Sequence, residues 1–418
     1  MYPVRVLIIL TVLTFISPLY AQEPLKSVVM RAIEVSPELK MFENKSQLIL
    51  SRITSGTNLP DPVLSLGLNN VPMGSFSLSA DPMTSKMVGL SQAFPFPGKL
   101  KAEEEYIRAD IGIIDREKLA FKLKYAYDAA QLYYDYLIAA ENVKLYSEML
   151  AIMEKMAETG KAMVTVSESS QYNLIRTETE IERTGAMITE AEGEKYMAAE
   201  KLRTLIKVDS LSQISGFGSA SLPPVNEIDL NAVAISDTNP VLSASMLSAA
   251  KAVKMREVMK YDYLPEFMAG AEYMFRSGMG MDGGSNPDMV SVMVSVMLPL
   301  NYGGKTDAKI EETKIMEDMA FNQYRADSLM IASQINSSVA GLQKMIKAYN
   351  QYGKGVTAKA ELAVESAMGA FGSGTGSFDQ VLDALNSLTE IKTAKLKIYK
   401  SIIREYLMVK YMAGYFPW

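Results

Sequence analysis

The chain has no cysteine and no histidine in 418 residues. Without Cys there are no disulfides, no thiol chemistry and no lipid-modified Cys behind an export signal. Without His the commonest general acid–base group is missing, and with it most zinc sites. An enzyme built on this chain would have to work with carboxylates, Lys or Ser alone, and no two carboxylates stand in a recognisable catalytic motif. A net charge of −6 argues against a nucleic-acid partner. Long apolar runs are also missing: beyond the N-terminus no segment offers about 18 consecutive apolar residues, so no transmembrane helix is predicted. The N-terminus itself reads as a secretory signal over residues 1–21. Arg5 supplies the charge, Val6 to Ile16 the apolar core, and Leu19-Tyr20-Ala21 the cleavage site before Gln22. Export without a helical anchor leaves the periplasm, the exterior, or a β-barrel in an outer membrane.

Proline and glycine are scarce over long stretches, and there helices are predicted. Lys99 to Thr159 holds no Pro and a single Gly, Gly112; at about 1.5 Å per residue such a helix reaches roughly 90 Å. Lys305 to Tyr352 is interrupted only by Gly341, and Gln171 to Lys207 and Phe378 to Ala413 are the returning runs. Ala and long charged residues dominate them, as helix propensity prefers. Leu119, Leu123, Tyr127, Ala130 and Tyr134 share one face, as do Leu382, Leu385, Leu388 and Ile391, so these helices should pack on one another with coiled-coil-like contacts. Helix-hairpin tips fall near Gly160 to Ser169 and Gly369 to Gly376; the second is Gly-rich but lacks the Lys-Ser/Thr ending of a phosphate-binding loop.

Between the helices the period changes to two. Val290, Val292, Val294 and Val296 alternate with Met289, Ser291, Met293, Ser295 and Met297. Phe267, Ala269, Ala271, Tyr273 and Phe275 oppose Met268, Gly270, Glu272, Met274 and Arg276. Leu64, Leu66 and Leu68, then Val88, Leu90 and Phe94, form shorter versions of the same pattern. An apolar face with aromatics near its ends, backed by a more polar face, is what a membrane barrel requires. Each segment is close to the length of a tilted membrane-spanning strand.

The whole arrangement occurs twice. Ser36-Pro37 pairs with Asn239-Pro240, Leu59-Pro60-Asp61-Pro62 with Leu264-Pro265-Glu266-Phe267, Pro97-Gly98-Lys99 with Gly303-Gly304-Lys305, and Ser170 to Leu174 with Ser377 to Val381. The offset drifts from 203 to 207, as duplication followed by small loop changes produces. Repeat one spans 22–206, with a strand pair at 62–95 and a helical hairpin at 99–206. A linker or equatorial segment covers 207–236. Repeat two spans 237–413, with a strand pair at 265–300 and a hairpin at 304–413, followed by a tail at 414–418. Four strands are too few to close a membrane barrel, which starts near eight. The chain is therefore expected to oligomerise.

This layout resembles the TolC-like outer-membrane efflux factor family over about Leu25 to Met412. The residues that carry the resemblance are Asp61-Pro62, Gln92-Ala93-Phe94-Pro95-Phe96-Pro97-Gly98-Lys99 and Ser377-Phe378-Asp379-Gln380-Val381-Leu382-Asp383-Ala384. Phe94 to Lys99 looks most like the heavy-metal efflux branch. The resemblance implies an α+β membrane protein: a homotrimer whose twelve-stranded outer-membrane β-barrel, four strands per chain, continues into a long periplasmic α-helical barrel. It implies a passive channel that conducts substrate from a periplasmic adaptor and an inner-membrane pump to the exterior, with outer-membrane lipid around it, no cofactor and no catalysis. Metal cations, drugs and protein all remain open as cargo.

The resemblance also places function on residues. Acidic residues near the last hairpin tip narrow the entrance in the family; here Gln380 and Asp383 match, with Asp379 adjacent, and the Gln departs from the usual acid. Gly160, Ser169, Ser170, Gly374, Gly376 and Ser377 mark the tips where the adaptor would dock. Methionine is abundant, at 29 residues. With His and Cys absent, Met289, Met293 and Met297, with Met268 and Met274 nearby, are the soft ligands a Cu(I)- or Ag(I)-like cargo would meet; the plain alternative is that Met simply fills apolar positions. The competing class is a soluble periplasmic coiled-coil adaptor or scaffold, which would lack membrane strands.

Overall fold

The computed structural model describes residues 23–78, 81–163, 168–214, 217, 221–225, 235–236, 239–277 and 284–418. The signal segment lies outside them. The described elements run α1 (Glu23–Val35), α2 (Pro37–Gly56), β1 (Val63–Asn69), β2 (Ser85–Phe94), α3 (Lys99–Met163), α4 (Glu168–Ile206), α5 (Pro240–Lys260), β3 (Glu266–Arg276), β4 (Met289–Met297), α6 (Lys305–Gln351), α7 (Ala358–Gly372) and α8 (Phe378–Ala413). They group into two compact units. One comprises residues 1–40, 118–240 and 328–418, the other 41–117 and 241–327.

The duplication is visible in the elements. Pro37 and Pro240 open α2 and α5 at the position where a missing N–H costs nothing. Lys99 and Lys305 open α3 and α6, each directly after a glycine of positive φ: Gly98 at 97° and Gly304 at 72°. Only glycine enters that backbone region without steric cost.

In the all-helical unit the core joins α1 (Leu25, Val28, Val29), α3 (Ala126, Ala130, Tyr133), α4 (Leu202, Ile206) and α8 (Ile402, Leu407). The buried line on α3 is Leu123, Ala126, Ala130, Tyr133 and Leu137, a strict three–four alternation. Of the stripe expected through Leu119, Leu123, Tyr127, Ala130 and Tyr134, Leu123 and Ala130 lie on this line, and Leu119, Tyr127 and Tyr134 are half-buried. Burial pushes the Tyr133 hydroxyl up to about 12. A second cluster packs Met149, Met153 and Met156 of α3 against Val364 of α7 and Phe378, Val381, Leu382 and Leu385 of α8. Of segment 207–236, the described Ile214, Phe217 and Val225 are buried in the main cluster. In the tail at 414–418, Phe416 and Trp418 stack and pack on the same core.

A π-helical turn, Tyr352–Thr357, joins α6 to α7, so the long run past Lys305 continues beyond Tyr352 to Gly372. Gly353 and Gly355 lie within that turn, and the Thr357 hydroxyl donates to the Tyr352 carbonyl at 2.7 Å.

The other unit carries the sheet. Its four strands form one antiparallel meander in the order β1-β2-β3-β4. Residues 70–84 link β1 to β2, and the junction of β2 with β3 joins the two repeats edge to edge.

Candidate functional site

The strand register sorts the side chains into two faces. Leu66 pairs with Val88, Val88 with Tyr273, and Tyr273 with Val290; in the next row Leu64, Leu90, Ala271 and Val292 align. These rows share one apolar face. Leu66 is 75% exposed, Val292 79% and Val294 71%. Phe94 pairs with Phe267 at one end of that face, and Tyr273 and Phe275 stand at the other with ring centroids 4.6 Å apart. The six to eight residues between those aromatics span about 20–26 Å, the height of a membrane barrel's apolar band. Strand lengths of 10, 11 and 9 residues for β2, β3 and β4 match what a tilted crossing needs.

The opposite face is polar and small: Ser65, Gly67, Gly89, Ser91, Gly270, Glu272, Ser291 and Ser295, with methionines between them. Among the described residues the sheet ends at β1 and β4, with no further strand on their outer edges. A sandwich partner would bury one face, yet β4 is exposed along nearly its whole length. Among the described residues no helix is long and apolar enough to cross a membrane.

The register also reorders the methionines. Met289, Met293 and Met297 share the polar face but follow one another along β4 at about 13 Å intervals, too far apart to meet at one ion. Met293 faces Gly270, and Met297 faces Glu266. Met87, absent from the sequence reading, instead pairs with Met274, which pairs with Met289. The short alternation of β2 was legible, but its alignment with β3 depends on joining the two repeats.

At the foot of the sheet, Lys99 ties one repeat to the other. Its ammonium lies 2.9 Å from Glu266 and 3.5 Å from Asp262, and Lys309 reaches Asp262 at 2.8 Å. Burial works against the Lys99 charge, but the two carboxylates outweigh it and hold its pKa above the usual lysine range. Burial likewise works against the Asp262 charge, and Lys309 with Lys99 holds it below the usual carboxylate range. Burial raises Glu103 beside them. Tyr263 donates to the Asp307 carboxylate, which Asn301 also reaches at 2.9 Å.

The hairpin tip belongs to the helical unit. Ser377 caps α8: its hydroxyl accepts from the Gln380 N–H at 3.3 Å, and the Gln380 side-chain oxygen accepts from the Ser377 N–H at 3.1 Å. Gln380, one of the residues expected at the entrance, is thus a capping residue of α8. Asp379 forms an ion pair with Arg176 of α4. Asp383 lies one turn further along and is exposed. The turn before them is tighter than expected: α7 extends to Gly372, and Gly374 turns the chain with φ of 75°. In the other hairpin, Gly160 is inside α3, and Ser169 and Ser170 are inside α4; residues 164–167 between them lie outside the described residues.

No protein-family model matches the chain. The cation efflux system protein CusC of Escherichia coli O157:H7 is 22% identical over 404 residues, covering 88% of this chain and 81% of that protein. The probable outer membrane lipoprotein SilC of Salmonella typhimurium is 24% identical over 319 residues, covering 72% of this chain and 65% of that protein. The solved outer-membrane channel OprN matches with a TM-score of 0.75 at 15% identity, over 94% of this chain and 91% of that one. The fold is that of the TolC-like outer-membrane channels. In this fold the two-faced sheet and the capped acidic tip are the parts with chemistry to offer.

Proposed function

We propose that the chain is the outer-membrane channel subunit of a tripartite efflux system. Three copies share twelve strands in one barrel, and their helices form the periplasmic tunnel below it. The observation that carries this reading is the sheet: four strands, apolar on one exposed face, polar on the other, and open at both edges. In lipid an unpaired backbone group costs several kcal/mol, so such edges must close on other copies. Water-facing scaffolds gain nothing from a broad exposed apolar sheet, which disfavours the soluble coiled-coil adaptor.

Conduction is passive. A pump in the inner membrane supplies the work, and an adaptor docks on the hairpin tips around Gly374, Gly376 and Ser377 and around Gly160, Ser169 and Ser170. Asp379 and Asp383 recur around the threefold axis as carboxylate rings at the entrance, which favour cations. Gln380 serves those rings by fixing the first turn of α8. Metal cations are the cargo class best supported, since CusC is a cation efflux protein.

The test is the mass of the detergent-extracted protein from separated inner and outer membranes. A trimer from the outer membrane is expected. A soluble monomer or dimer would overturn the shared barrel and return the scaffold reading.

A further inference from the structure

We propose that the cavity between α3, α8 and the π-helical turn binds a short zwitterionic peptide, with the peptide's carboxylate on Lys395 and its ammonium on Glu148. Binding is a property of the helical unit alone. Its consequence for transport, a brace on the hairpin that carries Asp379 and Asp383, rests on the channel reading above.

The cavity has a volume of about 560 Å³ and lies wholly within the all-helical unit. Small-molecule sites usually occupy about 300–1,000 Å³. Leu145 of α3, Leu222 and Pro223 of the segment before Val225, Tyr349 of α6 and Leu396 of α8 supply an apolar wall. The Tyr399 hydroxyl donates to the Pro223 carbonyl at 2.7 Å and fixes that wall to α8. The π-helical turn contributes Thr357 to the lining; such turns recur at functional sites.

Three lysines and three glutamates also line the cavity. Four of these six pair off: Lys392 with Glu361 at 3.0 Å, and Lys144 with Glu141 at 3.6 Å. Lys395 and Glu148 form no ion pair among the described residues. The Lys395 ammonium stands over the Tyr349 ring, 5.2 Å from its centroid. A Cβ at Gly353 would lie 3.6 Å from that ammonium, so glycine there leaves it uncrowded. One unpaired cation and one unpaired carboxylate beside an apolar wall match a ligand that carries both charges on an apolar body.

The register of the two helices sets the ligand's length. The Thr389 hydroxyl meets the Met149 sulfur at 2.9 Å, and Arg404 meets Asp135 at 3.1 Å, so α3 and α8 run antiparallel. At about 1.5 Å per residue, Lys395 lies about 9 Å beyond Thr389 along α8, and Glu148 about 1.5 Å beyond Met149 in the same direction. The two residues are thus offset by about 7–8 Å along the helices. An extended dipeptide spans about 7 Å, whereas a free amino acid carries both charges on one carbon. The match is to a peptide of two residues.

The experiment is calorimetric titration of the detergent-extracted full chain, in its native assembly, with leucyl-phenylalanine. The comparison ligands are its N-acetyl form, its C-terminal amide and free phenylalanine. We expect one dipeptide bound per chain, and each comparison ligand to bind about tenfold more weakly or worse, the scale of one hydrogen bond to a charged group. Lys395→Met should weaken the dipeptide to a similar degree and abolish the preference for the free acid over the amide. Glu148→Gln should do the same for the free amine over the N-acetyl form, and Lys395→Arg should keep the binding. If Lys395→Met does not assemble, Glu148→Gln alone decides. No binding by the parent, equal binding of the blocked dipeptides, or variants that keep the parent's preferences overturn the site. A parent that conducts in bilayers yet binds no dipeptide sinks this inference alone. A soluble monomer sinks the channel reading whatever the calorimetry shows.

Discussion

Replacing Gly98 with alanine should cost far more stability than replacing Gly304, although the two occupy matching turns. Both have positive φ, 97° and 72° respectively. An alanine there carries the left-handed penalty of about 1–2 kcal/mol. At Gly304 nothing stands within 4 Å of the new Cβ, so that penalty is the whole effect. At Gly98 the Cβ would lie 2.7 Å from the Tyr261 hydroxyl oxygen. Tyr261 packs near Phe96 with ring centroids 6.5 Å apart, so moving it disturbs a neighbour. Overpacking of this kind adds about 1–3 kcal/mol. Gly98→Ala should therefore cost about 2–5 kcal/mol by these two effects together. Tyr261→Phe removes the offending oxygen, and Gly98→Ala in that background should fall back toward the Gly304→Ala value. The assay is denaturant unfolding of the extracted protein followed by circular dichroism, arranged as a double-mutant cycle. Equal costs at the two glycines, or no relief from Tyr261→Phe, would refute the reasoning.

Val292→Arg on the apolar face should lower outer-membrane assembly by about 2–4 kcal/mol, the cost of a charge at mid-membrane, while Ser291→Arg on the other face should assemble normally; heat-modifiable mobility on gels distinguishes them. In bilayer recordings, Asp383→Asn should reduce cation selectivity more than Asp379→Asn, because Arg176 already neutralises Asp379. Asp379→Ala with Asp383→Ala should raise conductance, and an unchanged channel would remove the gating role. The Lys99–Asp262 network sets a pH window. Asp262 titrates below its ordinary 3.8 when folded, so its contribution is full above that pH and fades as pH falls further. Lys99 titrates above 10.5, so its contribution is full below that pH and fades as pH rises through the folded value. Glu103, raised by burial, offsets part of the acid loss. Thermal melts should lose stability at both extremes, and Asp262→Asn should flatten the acid limb; an unchanged acid limb would discount the network.

Much of the fold was legible because its signals are local. Proline-free runs of Ala and charged residues can only be long helices, and Val290 to Val296 alternate too cleanly for anything but a strand. Pro37 with Pro240 and Gly98 with Gly304 disclosed the duplication because each performs a backbone task few residues can do. On α3, Leu123 and Ala130 of the expected stripe are buried, while Tyr127 and Tyr134 are half-buried. Which of the neighbouring residues are buried follows how closely the helices approach, a quantity that belongs to both partners. The second hairpin turn falls within the expected Gly369 to Gly376, with α7 reaching Gly372 before it.

By itself, then, the sequence determined the chemistry that is absent, the helices and strands, their doubling, and the two-faced character of each strand. All follow from residue type and from periods of two and three to four. Only the tertiary structure decided which residues stand side by side. It aligned Met87 with Met274 and Met289. It separated the methionines of β4, gave Gln380 to the cap of α8, and paired Asp379 with Arg176. Register and pairing across hundreds of residues arise from many strand and helix contacts formed together, and no local pattern encodes them.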